Sequence, residues 1–490
     1  MIRFGAAGWF LRLTKLAGVT NTLTSFGLVV RMTRRVLSAI ALLVALVPGR
    51  APVRAYTLQY RDSGGIVARR WLTRPIIVAF STSLSSPAAN IKAGSDVIGA
   101  ARRALTRWAS IANVEFFETR STAHTISPAN AGDGVNLITV SGENATAFGD
   151  SESPARTRVF HDSGGAIVEA DIALNPSQAF STDGTFDSYD LESTFTHEIG
   201  HLLGLEHSGI IGATMQPRQA RNGVYGLPAF TQRTLSEDDM AGVRALYGSR
   251  AGMGSLSGRL IANGPSGQSL PVFGGHVFAE ELSTGRVIAG SITLASGEFR
   301  LNALAPGSYR LIGQSLNGPI SAADIASAGG SYSGLAETTP LFRSFVGGLT
   351  ASQSLNITTG AAVSLGFNRL MTPPPTLQPQ VIGMNGELST AALPLEPGET
   401  VTVYVGGEGL DEILPNGISV SSPFIKVEPA SLAPEVFDTP YPVISFEITV
   451  APDAPTGEYS IRVQLPSGEE AYLAGALTVD PEMSWSGFRF

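Results

Sequence analysis

The chain has 490 residues and a mass of 51.2 kDa, too long for one ordinary domain and enough for about three. Hydrophobic residues make up 43%, which excludes wholesale disorder, and 15% charged residues beside 55 Gly and 30 Pro point to turn-rich β structure. The net charge is −8 with no basic run, which argues against a nucleic-acid partner; zero cysteines exclude disulfides, a thiol nucleophile and thiolate metal ligands.

The first 55 residues read as an upstream extension followed by a signal peptide. Residues 36–47 form an apolar run, shorter than the roughly 20 residues that cross a bilayer as a helix. Arg34 and Arg35 precede it, and Val53-Arg54-Ala55 supplies a small-residue cleavage site before Tyr56. Met32 stands just before the pattern, so translation is expected to start there, and the mature chain is expected outside the cytoplasm with no membrane span.

From Tyr56 to about Gly248 the pattern mixes strands and helices. Residues 74–80, 135–140 and 167–174 read as strands, and residues 96–112 as a helix with Ser95 as N-cap and Val97, Ala101, Leu105, Trp108 and Ile111 on one face. Further helices are expected over 191–203 and 236–247. After residue 250 the segments 256–263, 271–279, 286–294 and 298–303 are short, β-branched and broken by Gly, as in an antiparallel sandwich. Pro373-Pro374-Pro375 makes 371–375 a stiff linker. Residues 376–481, with strands at 400–405, 443–450 and 458–463, read as a second all-β unit ahead of a tail at 482–490.

The chemistry concentrates in one segment, which contains His197, Glu198, His201, Gly204, His207 and Ser208. Residues four apart on a helix lie on one face, so His197 and His201 can aim their imidazoles at one ion. His207 would lie about 9 Å further along a continued helix, so the chain must turn back, and Gly204 sits where a left-handed C-cap allows it. Three neutral imidazoles leave a fourth tetrahedral position open, as in a catalytic zinc site. Zinc would lower the pKa of its water towards ~7, and Glu198, beside the first ligand, would take the proton as hydroxide attacks a polarised carbonyl. His124, His161 and His276 read as ordinary surface or core histidines.

The segment resembles the metzincin metalloproteases, whose pattern is His-Glu-x-x-His-x-x-Gly-x-x-His followed by a methionine turn. Ser208 is similar to the residue that marks the matrixin branch, the matrix-metalloprotease-like group. Ala213-Thr214-Met215-Gln216-Pro217 resembles its methionine turn, Leu235-Ser236-Glu237-Asp238-Asp239-Met240 the start of its last helix, and residues 169–172 and 189–193 its bacterial members. The resemblance implies an α+β metzincin-type catalytic domain over 56–250, with a twisted sheet and three helices. It implies one catalytic Zn2+ on His197, His201 and His207 with Glu198 as base, and Met215 as a floor under the imidazoles. It further implies that strand 167–174 is the edge that takes extended substrate, the alternative being plain sheet packing. Gln216 departs from the tyrosine usual there. The family's second, structural zinc is not carried over. For the Ca2+ that the resemblance also implies, Asp150, Asp162, Asp183 and Asp187 are the acidic loop residues, each read first as a turn residue.

Gly297-Glu298-Phe299, residues 304–307 and Tyr309, preceded by Thr284-Gly285, resemble a carboxypeptidase regulatory-like sandwich over 255–370. Pro397-Gly398 and residues 454–459 resemble an immunoglobulin-like module. Neither holds a titratable cluster, so both are expected to be non-catalytic, and a fragment ending near Arg250 is expected to fold and act alone. The combined expectation is a secreted zinc endopeptidase, a monomer acting on protein or peptide substrates. Without a propeptide thiol to cap the metal, it is expected to be active once folded. The alternatives are a non-catalytic, zinc-retaining adhesin or binding protein, and a zinc amidase with a non-peptide substrate.

Overall fold

The computed structural model describes residues 57–60, 67–149, 151–248, 251–264, 266–326, 331–333, 335, 344–346, 354–370 and 376–480, all within one compact unit, Val53–Phe490. The segments expected to be a signal peptide and its cleavage site, Asp150, the proline stretch at 371–375 and residues 481–490 lie outside the described residues. Among the described residues no helix is long and apolar enough to cross a membrane.

The first body is built on a five-stranded sheet of β1 (Ile76–Ser81), β2 (Phe116–Ser121), β3 (Leu137–Thr139), β4 (Ala155–His161) and β5 (Ile167–Leu174), in the order β2-β1-β3-β5-β4. All neighbours are parallel except β4, which runs antiparallel to β5. The edges are therefore β2 and β4, and 167–174, which the resemblance had implied as an edge, is an interior strand next to β4. The reason is visible in composition. All but one residue of β5 is buried, as in a strand covered on both faces, whereas β4 carries Arg156 and Arg158 and is half-buried along most of its length.

Helix α1 (Val97–Ile111) packs Val97, Ala100, Ala101, Ala104, Leu105 and Trp108 into the core, a spacing of three and four residues. Its N-cap is Asp96, whose carboxylate accepts from the Gly99 amide at 3.0 Å, rather than Ser95. Helix α2 (Leu191–Leu202) is capped by Asp190 through the Ser193 amide, and Arg233 pairs with that carboxylate at 2.5 Å. Helix α3 (Glu237–Tyr247) starts with a reciprocal capping box between Ser236 and Asp239.

Two sandwiches follow. In the first, 254–263 pairs with 298–304 and 362–369, facing a sheet that contains 276–281, 287–292 and 307–314. In the second, sheets built around 400–408 and 457–464 face one another. Each has a Pro/Gly turn four residues ahead of a tyrosine that bonds back to it: Tyr309 donates to the Ala305 carbonyl at 2.7 Å and Tyr459 to the Pro455 carbonyl at 2.5 Å. Each hydroxyl thereby satisfies a carbonyl of its own turn while the ring fills the core.

The three bodies share buried bonds. Ile210 and Ala213 of the first, Phe278, Val287 and Ile312 of the second, and Tyr472 and Ala474 of the third form one apolar cluster. Asp238 accepts from the Gly290 amide at 2.6 Å, the Ile211 amide donates to Ala474 at 2.9 Å, and Arg286 pairs with Glu237 at 3.1 Å. A fragment ending near Arg250 would expose Ile210 and Ala213 and strip Asp238 of a partner, so the expectation of a free-standing fragment meets a physical cost.

Glu458, on the third body, packs against Gly212 and sits beside Asp239 and Glu237. Burial first, and then those carboxylates, push its carboxyl up to about 8 from 4.5. A carboxyl with a raised folded pKa holds its proton more tightly in the folded chain, so stability falls as pH rises from about 4.5 to about 8 and is level above. Glu458→Gln should shrink the stability loss between pH ~5 and ~8 by on the order of a few kcal/mol. Part of the fall should remain, because burial also raises Asp238, to about 7, and Asp239. Urea denaturation at the two pH values checks this, and an unchanged slope would place Glu458 outside the linkage.

Candidate metal centre

Helix α2 brings His197 and His201 to one face, and Gly204, at φ +96°, turns the chain back. The turn returns His207 to the other two. Ring centroids lie 4.8 Å apart for His197 and His201, 4.9 Å for His201 and His207, and 5.5 Å for His197 and His207. One nitrogen from each ring lies within 4.8 Å of the others, and among the described residues this is the one His/Asp/Glu cluster so arranged.

The orientation of each ring is set by its other nitrogen. The Nδ1–H of His197 donates to the Thr214 carbonyl at 2.7 Å, that of His201 to Leu205 at 2.9 Å, and that of His207 to Asp324 at 3.0 Å. A carbonyl only accepts, so each Nδ1 carries the proton and each Nε2 keeps a free lone pair. Burial is the largest cause lowering all three pKa values: His197 well below its usual range, His201 to about 4, and His207 in the same direction. Three neutral imidazoles with converging lone pairs are the donor set of a borderline transition metal, and they fit zinc.

Glu198 is buried beside this cluster. Its Oε2 accepts from the Thr157 hydroxyl of β4 at 2.5 Å, and burial outweighs that bond to push its pKa up to about 7.

A family model described as Matrixin matches residues 79–248. Metalloendoproteinase 1-MMP of Arabidopsis thaliana is 34% identical over 158 residues, covering 31% of this chain and 38% of that protein. Metalloendoproteinase 1 of Glycine max is 32% identical over 30% of this chain and 44% of its own length, and human matrix metalloproteinase-19 is 30% identical over 31% and 26%. Residues 79–248 are a matrixin domain. The chain spans less than half the length of these relatives, and the family match ends at residue 248. A Bacteroides ovatus protein of a mixed-linkage glucan utilization locus, solved in complex with a mixed-linkage heptasaccharide, aligns with 43% of this chain and 38% of its own at 16% identity and a TM-score of 0.15.

Within the matrixin domain the last-helix motif has a clear role. Asp239 accepts from the Thr214 and Met215 amides at 2.8 and 3.1 Å, which pins the methionine turn. Asp238 accepts from the Ser208 hydroxyl at 2.6 Å, which anchors the residue after His207. Trp108 donates to Thr196, Trp71 to Leu202 and Tyr247 to Leu203, so carbonyls along α2 and at its end are satisfied from outside. Residues 57–60 bond the turn itself: the Gln59 amide donates to Gly204, and its side chain to His201 and Leu205.

Other expectations resolve differently. Gln216 is buried and donates to Thr390 of the third body, so the departure from tyrosine serves a module contact. His276 is neither with the triad nor ordinary. It is buried against Gly209 and Gly290 with neither ring nitrogen partnered, and burial lowers its pKa to about 3. His124 contacts Thr82 and Glu143, and His161 bonds its own turn at Asp162. Asp162 accepts from the Gly164 and Ala166 amides, Asp183 from Lys92 and Thr185, and Asp187 from Arg221, as turn and surface residues do. Thr157, Gln59 and the Asp324 carbonyl left no sequence signal, because backbone acceptors and isolated polar residues carry no pattern.

A Cβ on Gly200 would stand 2.2 Å from the Met215 sulfur and 3.0 Å from the Trp108 ring. Gly200→Ala should therefore destabilise the metal-free chain by on the order of 1–3 kcal/mol. Gly142→Ala, whose new methyl meets open space, should stay within about 0.5 kcal/mol. Equal denaturation midpoints for the two variants would mean that Met215 moves freely.

Proposed function

We propose that the chain is a zinc-dependent endopeptidase, exported from the cytoplasm, that hydrolyses peptide bonds at the His197/His201/His207 centre with Glu198 as base. The convergence of three neutral imidazoles, with a buried carboxylate next in sequence to the first, carries this reading. When bound, zinc supplies a Lewis acid that polarises the scissile carbonyl and makes water easier to deprotonate.

The chain's own groups supply the rest. Nε2 of each histidine holds the ion while the Nδ1–H bonds keep the rings from turning. Glu198 takes a proton from the attacking water and returns it to the leaving amine, and its burial, which raises its pKa, favours holding the proton between the two transfers. Thr157 fixes one carboxylate oxygen, so the other is free to face the water. Edge strand β4 offers unpaired backbone groups along which an extended peptide can add as a strand.

Glu198→Ala should leave zinc stoichiometry near wild type while peptide hydrolysis falls roughly 10²–10⁴-fold. His201→Ala should lose the metal, because two imidazoles make an incomplete site. Metal analysis beside a quenched-peptide assay separates the two. A wild-type chain that holds zinc yet gives no chelator-sensitive clearing in casein or gelatin zymography would favour the binding-protein reading. Export is tested by amino-terminal sequencing of protein from the culture medium or periplasm, which should begin at Tyr56; an intact Met1 would overturn it.

A further inference from the structure

We propose that the single helical turn α4 (Ala322–Ile325), which belongs to the first sandwich, is a positioning part of the metal centre: it holds His207 in its metal-ready tautomer through the Asp324 carbonyl. This rests on the reading of the three histidines as a zinc site.

The three orienting carbonyls are not alike. Those for His197 and His201 come from Thr214 and Leu205, inside the matrixin domain and within 17 and 4 residues of their histidines. The acceptor for His207 lies 117 residues away, beyond residue 248 where the family match ends. The sandwich therefore supplies one third of the orienting bonds, and the methionine turn and the α2 turn supply the other two.

The turn is built to hold that carbonyl still. The Asp324 carboxylate accepts from the Ser321 amide at 2.8 Å and hydroxyl at 2.6 Å, which closes the turn. Its other oxygen pairs with Arg218 at 2.9 Å, three residues past Met215. Ala322 and Ile325 are buried, and the Ala322 amide donates back to Leu316. Beyond it, Ser331 exchanges hydrogen bonds with both backbone groups of Tyr60, next to the segment that bonds the His201–Leu205 turn. The sandwich is thus tied to residues before and after His207 in the chain, Tyr60 and Arg218.

Without the carbonyl, the His207 ring could rotate or carry its proton on Nε2, and in either state the lone pair leaves the metal. Loss of such an outer partner typically weakens metal binding about 10- to 100-fold. Metal retention and docking of the sandwich are then one equilibrium: a ligand or proteolytic cut that loosens α4 also loosens zinc. Asp324 acts through His207 and is a positioning residue.

The test uses the full chain, zinc-loaded and labelled with ¹⁵N-histidine. Wild type should show three slowly exchanging Nδ1–H resonances. Asp324→Ala, which removes both the turn closure and the Arg218 pair, should lose one of them and transfer zinc to a chelator about 10- to 100-fold faster. Asp324→Asn keeps an oxygen for the Ser321 bonds and should restore the third resonance and most of the rate. Should Asp324→Ala not fold, Arg218→Ala, at a half-exposed side chain, should speed transfer in the same direction by a smaller factor. Three retained resonances in Asp324→Ala, or an unchanged transfer rate in Arg218→Ala where Asp324→Ala does not fold, overturn the proposal whether or not stability changes, since mere packing at this contact predicts that result. A wild-type chain that binds no zinc overturns the metal reading itself, and this inference with it.

Discussion

An imidazole offers Nε2 to a metal only while Nδ1 keeps its proton, and a buried N–H is stable only with an acceptor. Everything around the site answers that constraint. Three carbonyls, from the methionine turn, the α2 turn and α4, meet three rings. Each carbonyl is in turn held by a side chain: Asp239 pins the methionine turn, Gln59 the α2 turn and Arg218 the approach to α4. Removing a holder far from the metal acts on the same bond as removing its neighbour.

The holders themselves are costly. Asp238 and Asp239 are buried carboxylates, and burial raises the pKa of both. Hydrogen bonds from Thr214, Met215 and Ser236 to Asp239, and from Ser208 and Gly290 to Asp238, offset that cost. Their effect is to lock the position of α3 relative to the histidines, since each carboxylate can satisfy its donors in one geometry only. Glu458 adds a third buried carboxyl from another body, and burial raises its pKa as well.

The sandwiches are clamps as much as attachments. Tyr225, at φ 62° in the loop after the methionine turn, has every backbone and side-chain polar group engaged by the third body. Its amide donates to Glu387, its carbonyl accepts from Asn385, and its hydroxyl donates to Ile382 and Ala391. Gln216 makes a parallel contact at Thr390. The loop after the methionine turn is therefore held by a β-hairpin more than 150 residues downstream.

What the sequence determined by itself are the features set by local geometry. The i, i+4 spacing of His197 and His201 and the turn at Gly204 follow from helix period and glycine's access to positive φ, which act over a few residues. The three helices appeared within two residues of their expected ends for the same reason. Only tertiary structure decided that β4 and not β5 is an edge, that Asp96 outcompetes Ser95 as cap, that His276 is buried without a partner, and that Asp324 completes the orientation of His207. These depend on which distant segments arrive at a given place. A backbone carbonyl is the same in every residue, so no residue type marks the one that the fold will bring to an imidazole.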